Sequence, residues 1–78
     1  MIDPRQVIAA RGLLDWTQGD LADKTEIGIN TVKVFENSKA DTRPVVKNAI
    51  KRTLEEHGIE FTNKRGKIGV ALAVDDKE

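Results

Sequence analysis

The sequence predicts a mainly α domain of four to five short helices, followed by a C-terminal β-hairpin or strand. Apolar residues recur every three or four positions in four segments between residues 4 and 57, which is the period of an amphipathic helix. Short polar stretches separate these segments. From residue 59 apolar and polar residues alternate instead, as is typical of strands.

Length and composition fit one small globular domain. The chain has 78 residues, of which 33% are charged and 38% hydrophobic, and it contains no cysteine. A disulfide framework, cysteine-ligated zinc and a thiol nucleophile are therefore excluded. No apolar run approaches the ~20 residues that cross a bilayer, and no signal peptide follows the first methionine. We expect a cytoplasmic protein without a membrane partner.

A first helix is predicted from Pro4 to about Leu14. Asp3 is a favoured N-cap residue, and the N–H that proline lacks would have no partner in the first turn. Apolar residues at helical spacing form the expected stripe: Val7, Ile8, Ala9, Ala10, Leu13 and Leu14.

Two shorter helices are predicted next. Thr17 is a favoured N-cap for a helix over residues 18–24, and a tight break separates it from a third helix over residues 29–36. Val32 and Phe35 have helical spacing and would anchor the back of the third helix on the core.

A fourth helix is predicted from Pro44 to about His57. Asp41 or Thr42 can cap its start, and Gly58 is the expected C-cap residue. Its apolar residues again follow the helical period: Val46, Ile50 and Leu54.

The C-terminal segment predicts a β-hairpin. Residues 59–62 alternate, residues 68–74 are apolar with β-branched side chains, and turn-forming residues 63–67 lie between them. A lone hairpin is marginally stable in water, so it must pack on the helices or pair with another chain. We expect one helical domain over residues 1–58 with a hairpin extension over 59–78, frayed at its end.

The most informative segment, Thr17–Asn37, predicts two helices joined by a tight turn. The second of them would present an exposed front: Gly28, Ile29, Asn30, Lys33 and Val34. A single helix fits the major groove of B-form DNA, where base edges show distinguishable donors and acceptors. The segment therefore predicts a DNA-reading unit, the alternative being an ordinary helix pair that binds no DNA.

This segment resembles the helix-turn-helix of the phage repressors and Cro proteins, the Xre family of bacterial and phage transcriptional regulators. The resemblance covers about residues 7–54 and is densest in residues 16–37. Several residues stand where the family pattern has such residues: Gln18, Leu21, Ala22, Ile27, Thr31, Val32, Glu36 and Asn37. The resemblance implies a repressor-like fold and sequence-specific binding of double-stranded DNA.

The resemblance also implies individual roles. Gln18 would bind a backbone phosphate and orient neighbouring side chains, and Asn37 would lie near the sugar–phosphate backbone. Residues 28–36 would form the recognition helix and read bases from the major groove. Arg11 would pair with Glu36 as a structural ion pair.

Three residues depart from the family pattern. Glu26 stands where the family usually has glycine in the turn, and a left-handed conformation there costs roughly 1–2 kcal/mol without glycine. Gly28 replaces the usual Ser/Thr cap. Ile29 is apolar where a polar reader is commoner; it can contact a thymine methyl group, while Asn30 can bind adenine.

The charge balance permits nucleic acid as a partner without requiring it. The 13 basic and 13 acidic residues cancel, whereas strongly basic domains bind phosphate most readily. Basic residues are concentrated between the acidic clusters, so a neutral total can hide a basic face. Among them, Lys39 and Arg43 are expected phosphate contacts; the alternative is that they are solvated surface charges.

A single recognition helix buries too little surface for tight specific binding. We therefore expect a homodimer on an inverted repeat, with half-sites ~34 Å apart. Val70, Leu72 and Val74 of the hairpin are the expected dimer contacts, and the fourth helix is the alternative.

A second class of function stays open from the sequence. An antitoxin or anti-activator would keep the fold but act mainly through a partner protein, and the zero net charge together with Gly28 and Ile29 favours it. No catalytic constellation, metal-ligand cluster or phosphate-cradling loop is recognisable. We therefore expect no enzymatic activity, no cofactor and no metal.

Overall fold

The computed structural model describes residues 2–37 and 42–74. Over these residues the chain forms, in order, α1 (Pro4–Leu14), α2 (Gln18–Thr25), α3 (Ile29–Asn37), α4 (Pro44–Glu56), β1 (Ile59–Lys64) and β2 (Lys67–Leu72). The predicted mainly helical chain with a C-terminal hairpin is confirmed, with four helices in the described part. None of these helices is long and apolar enough to span a membrane.

The first helix begins with a capping box. The Asp3 carboxylate accepts a hydrogen bond from the Arg5 N–H at 2.8 Å, and the Gln6 Oε1 accepts one from the Asp3 N–H at 2.9 Å. The pKa of Asp3 is lowered chiefly by hydrogen bonds from the Arg5 side chain, and further by the hydrogen bond from the Arg5 backbone N–H. Because the folded pKa lies below the unfolded value, this contribution to stability is present at neutral pH and is lost as the pH falls through the lowered pKa.

The apolar stripe of α1 is narrower than predicted. Val7 and Ala10 are buried, but Ile8 is 43% and Leu13 46% exposed. At about 100° per residue, positions 8 and 13 lie about 100° and 240° around the helix from Val7, so neither can share its face. Two large apolar side chains of α1 therefore remain at the surface.

The core contains residues from every helix and from β1. Its buried members are held between the helices, and the hairpin closes one side: Ile2, Val7, Ala10, Leu21, Ala22, Val32, Phe35, Ile50, Leu54 and Ile59. Val70 and Leu72, the predicted dimer contacts, are half-buried against this core, whereas Val74 is 70% exposed. Much of the apolar face of the hairpin is thus covered by the helices of the same chain.

The hairpin has a two-residue turn and a regular antiparallel register. Pairing runs from Ile59 opposite Leu72 to Lys64 opposite Lys67. The turn residues Arg65 and Gly66 have φ of 53° and 74°, as in the type I′ turns that match the twist of the strands. The register therefore follows from the turn.

One buried side chain of α1 contacts both strands of the hairpin. The Gln6 Nε2 donates to the Thr62 carbonyl and to the Gly69 carbonyl, each at 2.9 Å. The same amide caps α1 through its oxygen. Gln6 therefore fixes the hairpin to the start of the first helix.

The start of α4 differs from the prediction. Its N-cap is Arg43, with no side-chain cap hydrogen bond, so Thr42 does not cap the helix, and Asp41 lies outside the described residues. The residue before a proline is driven to an extended conformation, and Arg43 has φ of −55° and ψ of 138°. Its carbonyl accepts hydrogen bonds from the N–H groups of Val46 and Lys47, which starts the helix.

The end of α4 depends on a glycine. Gly58 follows the C-cap residue His57 and has φ of 95°, a conformation that glycine adopts without strain. A Cβ there would also lie 3.3 Å from the Leu72 Cδ1. Gly58 thus allows the chain to turn closely against β2.

Candidate functional site

A tight connection of three residues joins α2 to α3. The backbone of Glu26 is in the left-handed conformation, with φ of 62° and ψ of 43°. This is the conformation expected at the turn position where the resemblance implies glycine. The Ile27 N–H donates to the Ala22 carbonyl at 3.0 Å and closes the end of α2. Ile27 is half-buried and packs against the core, so its side chain holds the turn on the domain.

We expect Glu26→Gly to raise the free energy of unfolding by about 1 kcal/mol, because glycine removes the left-handed strain. Urea unfolding of the wild type and the variant measures this change. Glu26→Ala is the matched control, since it removes the same charge but keeps a Cβ, and it should give no comparable gain. An equal gain in both variants would assign the effect to charge instead of backbone conformation.

A buried carboxylate connects α1, α2 and α3. The Glu36 side chain accepts hydrogen bonds from Arg11 Nε at 2.7 Å, Arg11 Nη2 at 2.9 Å and Gln18 Nε2 at 2.9 Å. Arg11 also donates to the Trp16 carbonyl at 3.1 Å. The ion pair that the resemblance implies is thus present, and we call Arg11, Gln18 and Glu36 the polar cluster.

The structure gives Gln18 a partner inside the protein. Gln18 is the first residue of α2, and its half-buried side chain donates a hydrogen bond to Glu36 and so orients that carboxylate. Beside it, the Thr17 hydroxyl accepts from the Asp20 N–H, and the Asp20 carboxylate accepts from the Thr17 N–H. A phosphate contact by Gln18 stays a prediction.

One side of α3 is exposed along its whole length. We define the α3 face as its five exposed side chains: Ile29, Asn30, Lys33, Val34 and Asn37. Val32 and Phe35, on the opposite side, are buried in the core. The helix therefore presents one continuous surface while its other side is fixed.

The α3 face has a polar centre and two apolar margins. At about 100° per residue its members span an arc of about 140°, with Lys33, Asn37 and Asn30 between Ile29 and Val34. Ile29 is 42% exposed and Val34 58% exposed. Asparagine and lysine at the centre can donate hydrogen bonds, and asparagine can also accept them.

Each margin of the α3 face borders another part of the chain. The Ile29 Cδ1 lies 3.7 Å from the position that a Cβ on Gly19 would occupy, so Ile29 adjoins the first turn of α2. Beyond Val34, a shallow groove is lined by Asn30, Thr31, Val34 and Thr42. Neither neighbour covers the centre of the face.

Gly28 and Arg43 are the remaining predicted site residues in the described part of the chain. Gly28 is exposed, and its carbonyl accepts the first hydrogen bonds of α3 from Thr31 and Val32. Arg43 is exposed at the start of α4. Lys39 lies outside the described residues.

The electrostatics of the α3 face favour an electronegative ligand. Lys33 is its charged member, and Glu36, the acidic residue of α3, is buried and paired with Arg11. In the described part of the chain, no group of three or more His, Cys, Asp or Glu residues could hold a metal ion.

Sequence reasoning missed one structurally important residue, Gln6, whose buried amide caps α1 and contacts both strands of the hairpin. Gln6 follows Asp3 by three positions, which is the spacing of a capping box, so a local signal for its capping role was present in the sequence. In comparisons with known proteins, the chain matches no protein-family model and no curated protein.

Proposed function

We propose that the protein is a repressor-like transcriptional regulator that binds double-stranded DNA sequence-specifically. In this proposal α2, its turn and α3 form a helix-turn-helix unit, and the α3 face enters the major groove. The observation that carries the proposal is the exposure of Asn30 and Lys33 on a helix whose opposite side is buried. These side chains can reach base edges without any rearrangement of the domain.

The packing around α3 supports this proposal. Recognition of base edges needs side chains that are held on a rigid element. The polar cluster ties α3 to α1 and α2, and Val32 and Phe35 fix its back in the core. Rotation of the α3 face would break these contacts.

Phosphate contacts would come from groups around the α3 face. Arg43 is exposed and follows Thr42, which lines the groove beside Val34, and Asn37 is exposed at the end of α3. The N-terminus of α2, beside the Ile29 margin, carries the partial positive charge of a helix start, although the exposed Asp20 carboxylate in its first turn offsets part of it. With Gln18 and Lys39, these groups would fix the position of the domain on the duplex.

We propose that a homodimer binds an inverted repeat, because one α3 face contacts too few base pairs for high affinity. Val74 of the hairpin is exposed, and so is Val45 of α4, the alternative dimer surface. Sedimentation equilibrium tests this part of the proposal. A monomer at high protein concentration would contradict it.

Selection from a random duplex library followed by mobility-shift assays over a salt series tests DNA binding. We expect one enriched sequence, bound more weakly as salt rises, because bound phosphates release counterions. The Asn30→Ala/Lys33→Ala variant should lose at least about 30-fold in affinity for that sequence, since two base contacts of about 1–3 kcal/mol each contribute about 2 kcal/mol or more together.

The control for this experiment is Asn48→Ala/Lys51→Ala. It removes the same two residue types at the same spacing from α4, and Lys51 contributes little through its 3.9 Å surface pair with Glu55. Its affinity should equal that of the wild type at the same oligomeric state, which sedimentation equilibrium checks because α4 is the alternative dimer surface. Equal losses in both double variants, or a library that yields no enriched sequence, would contradict sequence-specific binding through α3.

A partner protein is the second candidate ligand, as for an antitoxin or anti-activator. The observation that favours it is the exposure of Ile29 and Val34 on the α3 face, because exposed apolar side chains can mark protein-binding surfaces. In that case the chain should bind no duplex even at low salt, and the salt series separates the two candidates.

A further inference from the structure

The apolar margins of the α3 face are not explained by the packing of the domain. The core positions of α3 are Val32 and Phe35, which are almost completely buried. Ile29 and Val34 lie away from them, about half exposed, on both sides of the polar centre. Single exposed apolar residues are common on proteins, but these two flank the residues that the proposed function assigns to base reading.

The major groove offers one projecting apolar group, the C5-methyl group of thymine. Neither Ile29 nor Val34 can form a hydrogen bond with a base edge. Placed against a polar edge, each would remove water without replacing its hydrogen bonds, which is unfavourable. Placed against a methyl group, each buries apolar surface on both partners.

The spacing of the two side chains restricts which methyl groups they can reach. Five residues of helix correspond to about 7.5 Å along the axis, or about two base-pair steps of roughly 3.4 Å. The two side chains are also about 140° apart around the helix. In a groove that follows the helix axis they would face opposite walls, and therefore opposite DNA strands.

We infer that Ile29 and Val34 read the methyl groups of two thymines, on opposite strands and about two base-pair steps apart, around an adenine bound by Asn30. This inference rests on the proposed DNA-binding function. It identifies the ligand as an A·T-containing half-site and gives the two apolar margins a role in specificity.

Replacement of single thymines by deoxyuridine in the selected sequence tests the inference, because it removes the methyl group and keeps base pairing. We expect two positions in each half-site where this replacement weakens wild-type binding about fourfold, the equivalent of about 0.8 kcal/mol for one buried methyl. Ile29→Ala should be insensitive at one position and Val34→Ala at the other. Thermal unfolding checks that both variants fold.

Ile8→Ala is the matched control, since Ile8 of α1 is 43% exposed, as Ile29 is 42%, and it belongs neither to the α3 face nor to a proposed dimer surface. It should keep wild-type sensitivity at both positions. Sequence-specific binding that deoxyuridine does not affect, or sensitivity that persists in both Ile29→Ala and Val34→Ala, would overturn the inference and leave the proposed function intact. Failure to bind any duplex would overturn both.

Discussion

Glu36→Ala is expected to lower the free energy of unfolding by about 3–5 kcal/mol, because it removes one partner of a buried ion pair. Arg11 would keep its charge with little access to water, and Gln18 would lose its acceptor. Small domains are stable by only about 5–15 kcal/mol. The variant should therefore lose a large part of its stability and unfold at a clearly lower urea concentration than the wild type, which urea titrations followed by circular dichroism will measure.

Glu55→Ala is the control for this prediction. Glu55 belongs to an exposed pair, 3.9 Å from the Lys51 Nζ, so its loss should cost less than about 1 kcal/mol. An Arg11→Met/Glu36→Met double variant should recover much of the lost stability, because no unpaired charge stays buried. Similar costs for Glu36→Ala and Glu55→Ala would contradict the role of the polar cluster.

Gln6→Glu is the second substitution with a large expected effect, about 3 kcal/mol of lost stability at neutral pH. A carboxylate cannot donate to the Thr62 and Gly69 carbonyls, and it places a charge in a buried position next to them. Burial and the nearby carbonyls should raise the pKa of the new carboxyl in the folded state.

The pH dependence of Gln6→Glu distinguishes this mechanism from a loss of packing. The unfolded pKa is about 4.3, so the stability deficit should be small below that value and grow as the pH rises toward the raised folded pKa. Asn63→Asp makes the same chemical change at an exposed hairpin position and should cost less than about 0.5 kcal/mol. A deficit that does not change with pH would contradict the prediction.

Local signals in the sequence predicted the helices well. Asp3 and Pro4 predicted the start of α1, and Thr17 the start of α2, because caps depend on residues within one turn. The left-handed conformation of Glu26 was implied by the resemblance, because the family usually has glycine at this position of the turn. The exposed side chains of α3 were predicted from the period of its buried residues.

Long-range contacts could not be predicted in this way. The carbonyls that Gln6 binds lie 56 and 63 residues further along the chain, and no periodicity connects such positions. The contact of Gln18 with Glu36 likewise depends on how α2 and α3 pack. The half-burial of Val70 and Leu72 depends on where the hairpin docks, which its alternating pattern does not specify.

The position of Gln6 has a consequence for how the protein is made. Residue 6 leaves the ribosome long before residues 62 and 69, since domains are synthesised from the N-terminus. A nascent chain that ends before β2 therefore lacks one of the two strand acceptors of this amide, and it leaves the neighbouring core open to solvent. We expect the domain to acquire its native structure in one late step, when translation has passed the second strand.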